Sequence, residues 1–205
     1  MEITPESVKA VLKREIASSQ KRLIEAGFVA SLVRERVAAL AQGYGDPVLD
    51  VGTGACACLA VAMARKELKV TAMDHASSAV RIAQERAAGK LAHYLDIRQI
   101  DAAQMPFPDG GYRVVTAFDA LCHAAEPAAV LGEMFRVSSK AVIITELNAV
   151  GRDITRHLDG GFDERLPDLL SPFCRDCQLF EYDHHVIFVC ERTGTNNSGL
   201  MLEGG

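Results

Sequence analysis

The 205-residue chain contains no run of about 18 apolar residues, so no membrane-spanning helix is expected. Its first residues, "MEITPESVKAVLKREIASS", are charged and helical in pattern instead of forming an apolar leader, and no secretory signal is expected. Basic residues are not in excess: 22 Lys and Arg stand against 27 Asp and Glu, a net charge of −5. That balance argues against nonspecific nucleic-acid binding, which runs on cationic surfaces. No internal repeat and no linker divides the sequence, so one domain with a real core is the simplest organisation. The six cysteines sit mostly inside apolar segments, and the chain is not a small secreted scaffold. A disulfide framework is therefore not expected; reduced thiols and a cytoplasmic location are.

What is present begins with helical periodicity. Thr4-Pro5 reads as an N-cap followed by proline at the first helical position, and Val8, Val11, Leu12 and Ile16 recur at helical spacing. A second amphipathic stretch follows Gly27, with Val29, Leu32, Val33, Val37 and Leu40 on one face. Strands and helices then alternate. Strands are expected over Pro47–Val51, Lys69–Met73, Leu95–Ile100, Tyr112–Phe118 and Ala141–Leu147, and helices over Cys56–Lys66, Ser77–Ala88 and Pro127–Val137. This βαβα order predicts an α/β fold with a parallel sheet covered on both faces. Asn148 to about Gly161 reads as irregular, and Glu164–Leu170 as helical. "LFEYD" and "VIFVCER" are separated only by His184-His185, so they must pair as an antiparallel hairpin at the end of the sheet. The tail after residue 192 is polar and glycine-rich, with the composition of disorder.

The stretch "VLDVGTGACAC", Val48 to Cys58, runs from a strand into a glycine turn and then a helix. Glycines at 52 and 54 allow close backbone approach to a ligand, and a helix starting just beyond aims free N–H groups at it. Two cofactors fit these letters. Gly52-x-Gly54-x-x-Ala57 can be a dinucleotide fingerprint of an NAD-dependent oxidoreductase. Asp50-x-Gly52-x-Gly54 can be an acidic residue followed by spaced glycines. Asp50 favours the second: a carboxylate is poor company for a pyrophosphate but suits a ligand bearing an ammonium and a sulfonium. Asp74 follows Gly52 at the spacing of a ribose-binding acid. Asp50, Asp74 and Asp101 end the first three strands, and the expectation is that they stand in register along the ligand-binding edge.

"VLDVGTGAC", "VTAMDHASSAVRIAQERA", "IDAAQMPFPDGGYRVV" and "LGEMFRVSSKAVIITE" together resemble the class I S-adenosylmethionine-dependent methyltransferases, in particular the small-molecule enzymes similar to those of ubiquinone and menaquinone biosynthesis. The resemblance covers roughly Gly45 to Arg192. It implies a Rossmann-like, seven-stranded, mostly parallel sheet with an antiparallel last strand lying between the fifth and sixth. Residues 1–44 would form a helical lid, 45–192 the S-adenosylmethionine-binding domain and 193–205 a disordered tail. Asp50, Gly52 and Gly54 would line the methionine part of the cofactor, and Asp74 would hold the ribose with His75 beside the adenine. Asp101 and Ala102 would contact the adenine edge, and Phe118 would face the cofactor. The product would be S-adenosylhomocysteine and the acceptor a small molecule. Three positions depart from the family pattern: Cys56 replaces a third glycine, Arg113 an acid, and Ala76 a hydroxyl residue, for which Ser77 or Ser78 could cap the helix.

Other residues carry alternatives. His123 is the candidate general base, against a loop histidine that only lines the pocket; Asp119 could do the same work. Cys174-x-x-Cys177 is a weak metal or redox signal beside two ordinary thiols, and no metal is expected. Cys56 and Cys58 are expected as small apolar residues. Arg152, Arg156 and His157 lie where an insertion often shapes the acceptor pocket, or form a solvated charged loop. Lys9, Lys13, Arg14, Lys21 and Arg22 read as the wet face of a helix. "FDALCH" after the fourth strand lacks the Asn-Pro-Pro-Tyr pattern of nucleic-acid amino methylation. A noncatalytic protein that binds the same cofactor is the remaining rival.

Overall fold

The computed structural model describes residues 24–25, 27–87, 91–155, 161–174 and 176–192. The first expected helix, the basic residues at 9–22, Arg156, His157 and the tail lie outside the described residues.

Helix α1 (Ala30–Tyr44) buries Val33, Val37, Leu40, Ala41 and Tyr44, a stripe at helical spacing. Leu32, expected on that stripe, is 68% exposed, because it lies one residue off the 33-37-40-44 line. Strand β1 (Val48–Val51) leads through the glycine turn into α2 (Cys58–Arg65). Then follow β2 (Val70–Asp74), α3 (Ser77–Ala87), β3 (Leu95–Gln99), β4 (Tyr112–Phe118), α4 (Pro127–Val137) and β5 (Ser138–Leu147). Helices α5 (Ala149–Thr155) and α6 (Phe162–Leu170) precede β6 (Cys177–Glu181) and β7 (His185–Glu191).

The seven strands form one sheet in the order β3-β2-β1-β4-β5-β7-β6. Strands β1 to β5 are parallel; β7 runs antiparallel to both β5 and β6. The inner strands are apolar on both sides because both faces are covered. Val48, Ala72, Val114 and Ile143 pack on one face with α1, α2 and α3. Leu49, Val115, Val142 and Ile144 pack on the other with α4 and α6.

Two expectations are corrected. Residues 149–155 are helical, not irregular: Asn148 Oδ1 accepts the Gly151 N–H at 2.9 Å and starts α5. Gly151 is needed there, since a Cβ would meet the His184 carbonyl oxygen at 2.1 Å. The cysteines are not all reduced thiols either, because Cys177 and Cys190 form a disulfide. They face each other in the antiparallel β6–β7 register, with Cα atoms 4.4 Å apart, a proximity that their apolar neighbours in sequence do not disclose.

Candidate active site

The candidate ligand-binding edge is built by the C-terminal ends of β1, β2 and β4. At β1, Gly52 has φ +72° and Gly54 φ +63°, and both Gly52 and Thr53 donate their N–H to the Met73 carbonyl oxygen. A Cβ on Gly52 would lie 2.5 Å from Ala120 Cβ, so the turn closes against the chain leaving β4 only because that atom is missing. At Gly54 a Cβ would meet nothing within 4 Å, so the space over the turn is open. Ala57, at φ +44°, completes the turn before α2.

The three carboxylates are staggered instead of standing in register. Asp50 pairs with Ala72 and Asp74 with Gln99, so each acid stands two residues further along the edge than the one before. Two residues of strand are about 7 Å. Asp50 is the lowest and is 2% exposed. It accepts the Thr116 hydroxyl at 2.8 Å, and burial pushes its carboxyl up to about 6. It lies beneath the turn, not on its surface. Asp74 accepts the Gly54 N–H at 3.0 Å through Oδ2 and the Ala76 N–H at 2.9 Å through Oδ1. One carboxylate therefore pins the glycine turn to the start of α3, and Ala76 needs no hydroxyl for that purpose. His75 is largely exposed, with Nδ1 3.6 Å from Asp74 Oδ1. Asp101 is exposed and accepts the Ala103 N–H at 2.9 Å, while Ala102 is half-buried against the α4 side of the core.

At β4 the residues divide differently from expectation. His123 is exposed on a short 3-10 turn, Leu121–His123, and the residue the fold builds around is Asp119. Asp119 has φ +49°, a left-handed conformation held by its N–H bond to the Thr145 carbonyl oxygen at 2.8 Å. Its Oδ2 lies 3.1 Å from His185 Nε2, His185 Nδ1 lies 2.7 Å from His184 Nδ1, and His184 Nε2 accepts the Val29 N–H at 3.0 Å. The donors in this chain follow from its fixed end. A backbone N–H can only donate, so His184 Nε2 accepts and the proton of the neutral ring sits on Nδ1. His185 Nδ1 then accepts, and His185 Nε2–H donates to Asp119. Burial, with His185 second, lowers the His184 pKa and favours the neutral ring. Phe28 and Phe118 close around the pair, with Phe28 4.3 Å from the His184 ring and Phe118 5.2 Å from His185.

Asp119 Oδ1 and Glu146 Oε2 are both buried without a hydrogen-bond partner among the described residues. Glu146 is fully buried, its Oε1 accepts the Leu121 N–H at 3.0 Å, and burial followed by the nearby Asp119 charge pushes it up to about 8. A pKa raised on folding stabilises the protein while the group is protonated. That contribution is complete below 4.5 and is lost as pH rises to about 8. Glu146→Gln keeps the bond to Leu121 and removes the titration. It is expected to match wild type at pH 4 and exceed it at pH 9 by about 1 kcal/mol or more, or about 2–4 °C in midpoint by scanning calorimetry. Asp50 should leave a residual decline between 3.8 and about 6 in both proteins. Parallel profiles for the two proteins would contradict the assignment.

Other candidates are placed elsewhere. Arg152 does not face an acceptor: it pairs with Asp163, with Glu164 at 3.3 Å and with the Leu147 carbonyl oxygen at 3.1 Å. Arg113 donates to the Tyr44 carbonyl oxygen at 2.7 Å and secures the end of α1. Cys56 and Cys58 are exposed at the turn instead of packed as apolar filler, and Arg86 reaches Cys56 Sγ at 3.3 Å. Sequence reasoning missed His184 and His185, whose partners Val29 and Asp119 are 155 and 66 residues away in the chain.

Residues 49–144, from β1 to within β5, match the model of the methyltransferase domain family. A phosphatidylethanolamine N-methyltransferase of Cereibacter sphaeroides is 30% identical over 128 residues, 62% of this chain and 62% of that one. A ubiquinone biosynthesis O-methyltransferase of Albidiferax ferrireducens is 41% identical over 91 residues, 42% of this chain and 34% of the other. The chain thus spans less than two thirds of the length of either relative. In fold it is similar to the magnesium protoporphyrin IX methyltransferase of Synechocystis with bound S-adenosylmethionine, with a TM-score of 0.65 at 19% identity over 85% of this chain and 84% of that one. The domain match and these likenesses agree: residues 49–144 carry the pattern of a methyltransferase domain, and in fold the chain is similar to a methyltransferase that binds S-adenosylmethionine.

Proposed function

We propose that the protein transfers a methyl group from S-adenosylmethionine to a small acceptor whose nucleophilic nitrogen or oxygen carries a proton. The observation that carries the choice of acceptor is Asp119, a carboxylate oriented by His185 and His184 with one oxygen left unpartnered.

The edge fits the cofactor in two respects. The turn is held open over Gly54, where a side chain would intrude, and Asp74 is already anchored with acceptor capacity left for ribose hydroxyls. Gly52, Gly54 and Asp74 would hold it, with His75, Asp101, Ala102 and Phe118 around it. Buried Asp50 would act through the turn it supports. When bound, S-adenosylmethionine supplies a methyl group on a positively charged sulfur. The chain's own part is alignment and water exclusion, with Phe28, Phe118 and the buried histidines walling the acceptor side. The Asp119 carboxylate, whose side chain is 30% exposed, takes the hydrogen bond of the acceptor's N–H or O–H and so turns its lone pair toward the methyl carbon. The His185 Nε2–H bond to Oδ2 keeps the carboxylate in that orientation.

Incubation with radiolabelled S-adenosylmethionine and a panel of amines, phenols, thiols and carboxylic acids tests this reading. Label is expected in an amine or a phenol. Label only in thiols, or none in any acceptor or cell extract despite tight cofactor binding, would overturn it; the second result would support a noncatalytic binding protein.

A further inference from the structure

A second group of reactive side chains lies at the opposite end of β7 from the histidines. Cys190 stands five residues beyond His185 on that strand, about 17 Å away along it. It comes together with Cys177, which opens β6, and Cys174, just past the end of α6. The ligand atoms of the three lie within 4.8 Å of one another, although they come from three separate segments. Cys174-x-x-Cys177 in the sequence thus acquires a third sulfur from Cys190, and not from the neighbouring His184-His185, which is engaged with Asp119.

We propose that Cys174, Cys177 and Cys190, once the Cys177–Cys190 bond is reduced, form a three-thiolate site for a thiophilic divalent cation of the zinc and cadmium kind. The spacing suits it. Sulfurs around a tetrahedral ion with bonds of about 2.3 Å are about 3.8 Å apart, so the cluster must contract by only about 1 Å on the Cys174 side. Cys177 and Cys190 start closer than that and must separate, which side-chain rotation allows with Cα atoms 4.4 Å apart. Cys190 is fully buried while Cys174 and Cys177 are half-buried, so the ion enters past these two and its fourth position faces water. Cys174 now donates its S–H to the Asp176 carbonyl oxygen at 3.2 Å, and that bond is given up. Soft sulfur donors select zinc or cadmium over magnesium or calcium.

The chemistry balances in two steps. A phosphine reductant gives two electrons to the disulfide, water supplies two protons, and the phosphine leaves as its oxide. The cation then displaces three thiol protons and leaves the cluster with one net negative charge. In the oxidised protein only one of the three sulfurs, that of Cys174, is a thiol and no such site exists, so reduction controls occupancy.

The test uses the full chain carrying Cys56→Ser and Cys58→Ser, which removes the exposed pair at the glycine turn. It is reduced with a phosphine, freed of reductant without oxygen, and titrated with cadmium while the thiolate-to-cadmium absorption is followed. One cadmium per chain is expected, with the intensity of three thiolates, and none in the oxidised protein. Adding Cys174→Ser is expected to remove about a third of the absorption and weaken binding at least about tenfold. That variant alters a half-buried thiol, and binding of S-adenosylhomocysteine checks that it is folded. The proposal falls if the reduced protein shows no three-thiolate band, if the oxidised protein shows the same band, or if Cys174→Ser changes nothing. None of these results bears on methyl transfer.

Discussion

Gly52→Ala is expected to lower the affinity for S-adenosylhomocysteine about 100-fold or more. Two costs combine at this residue. Its φ of +72° is a conformation that alanine enters at about 1–2 kcal/mol, and the new Cβ would sit 2.5 Å from Ala120 Cβ. The clash is with a residue in the chain leaving β4, so relief requires the turn or the start of the 119–123 segment to move. Either movement disturbs the edge on which the cofactor would lie. A combined cost near 3 kcal/mol corresponds to about 100-fold. Isothermal titration of the variant measures the loss, and an unchanged affinity would mean that the turn does not form the cofactor's seat. Gly54→Ala offers a comparison: φ is again positive, but no atom lies within 4 Å of the new Cβ in the free protein. Its folding stability should therefore fall less than that of Gly52→Ala.

Asp119→Asn is expected to lower turnover by about 10²–10⁴ with the affinity for S-adenosylhomocysteine unchanged. Asparagine suits the test because it tolerates φ near +49° and keeps the shape of the side chain. What it removes is the negative charge that accepts the His185 Nε2–H and the proton of the acceptor. His185→Gln should act in the same direction by a smaller factor, since Asp119 keeps its charge and loses only its orientation. A structural role for Asp119 predicts the reverse pattern, with a lower melting temperature and weaker cofactor binding alongside any loss of rate. Steady-state kinetics on the labelled acceptor, set beside titration calorimetry, separates the two.

How far the sequence carried these conclusions depended on how local each signal was. Strand β4 and helix α4 have the expected bounds, because Gly110-Gly111 precedes one and Glu126-Pro127 opens the other. The β5-β7-β6 order at the sheet edge follows a resemblance and the short spacing of a hairpin. Helix α5 was hidden because "NAVGRDIT" combines glycine with β-branched residues, and its N-cap, Asn148, looks like a turn residue until its bond to Gly151 is seen. The carboxylates were placed on the correct strands, but their level along the edge depends on strand register, which no single strand encodes. The same holds for the Cys177–Cys190 pair. His184 and His185 read as hairpin residues because their partners, Val29 and Asp119, come from distant parts of the chain. Of the two candidate bases in the sequence, His123 is exposed, while Asp119 has the left-handed backbone and the buried histidine partner that only the three-dimensional structure discloses.

The central claim is that the turn at Gly52 and Gly54, with Asp74, seats S-adenosylmethionine. The most direct measurement is isothermal titration of the purified protein with S-adenosylhomocysteine, followed by titration with NAD. Saturable one-to-one binding of S-adenosylhomocysteine, lost in Gly52→Ala and not reproduced by NAD, is the predicted result. Saturable binding of NAD with none of S-adenosylhomocysteine would contradict it.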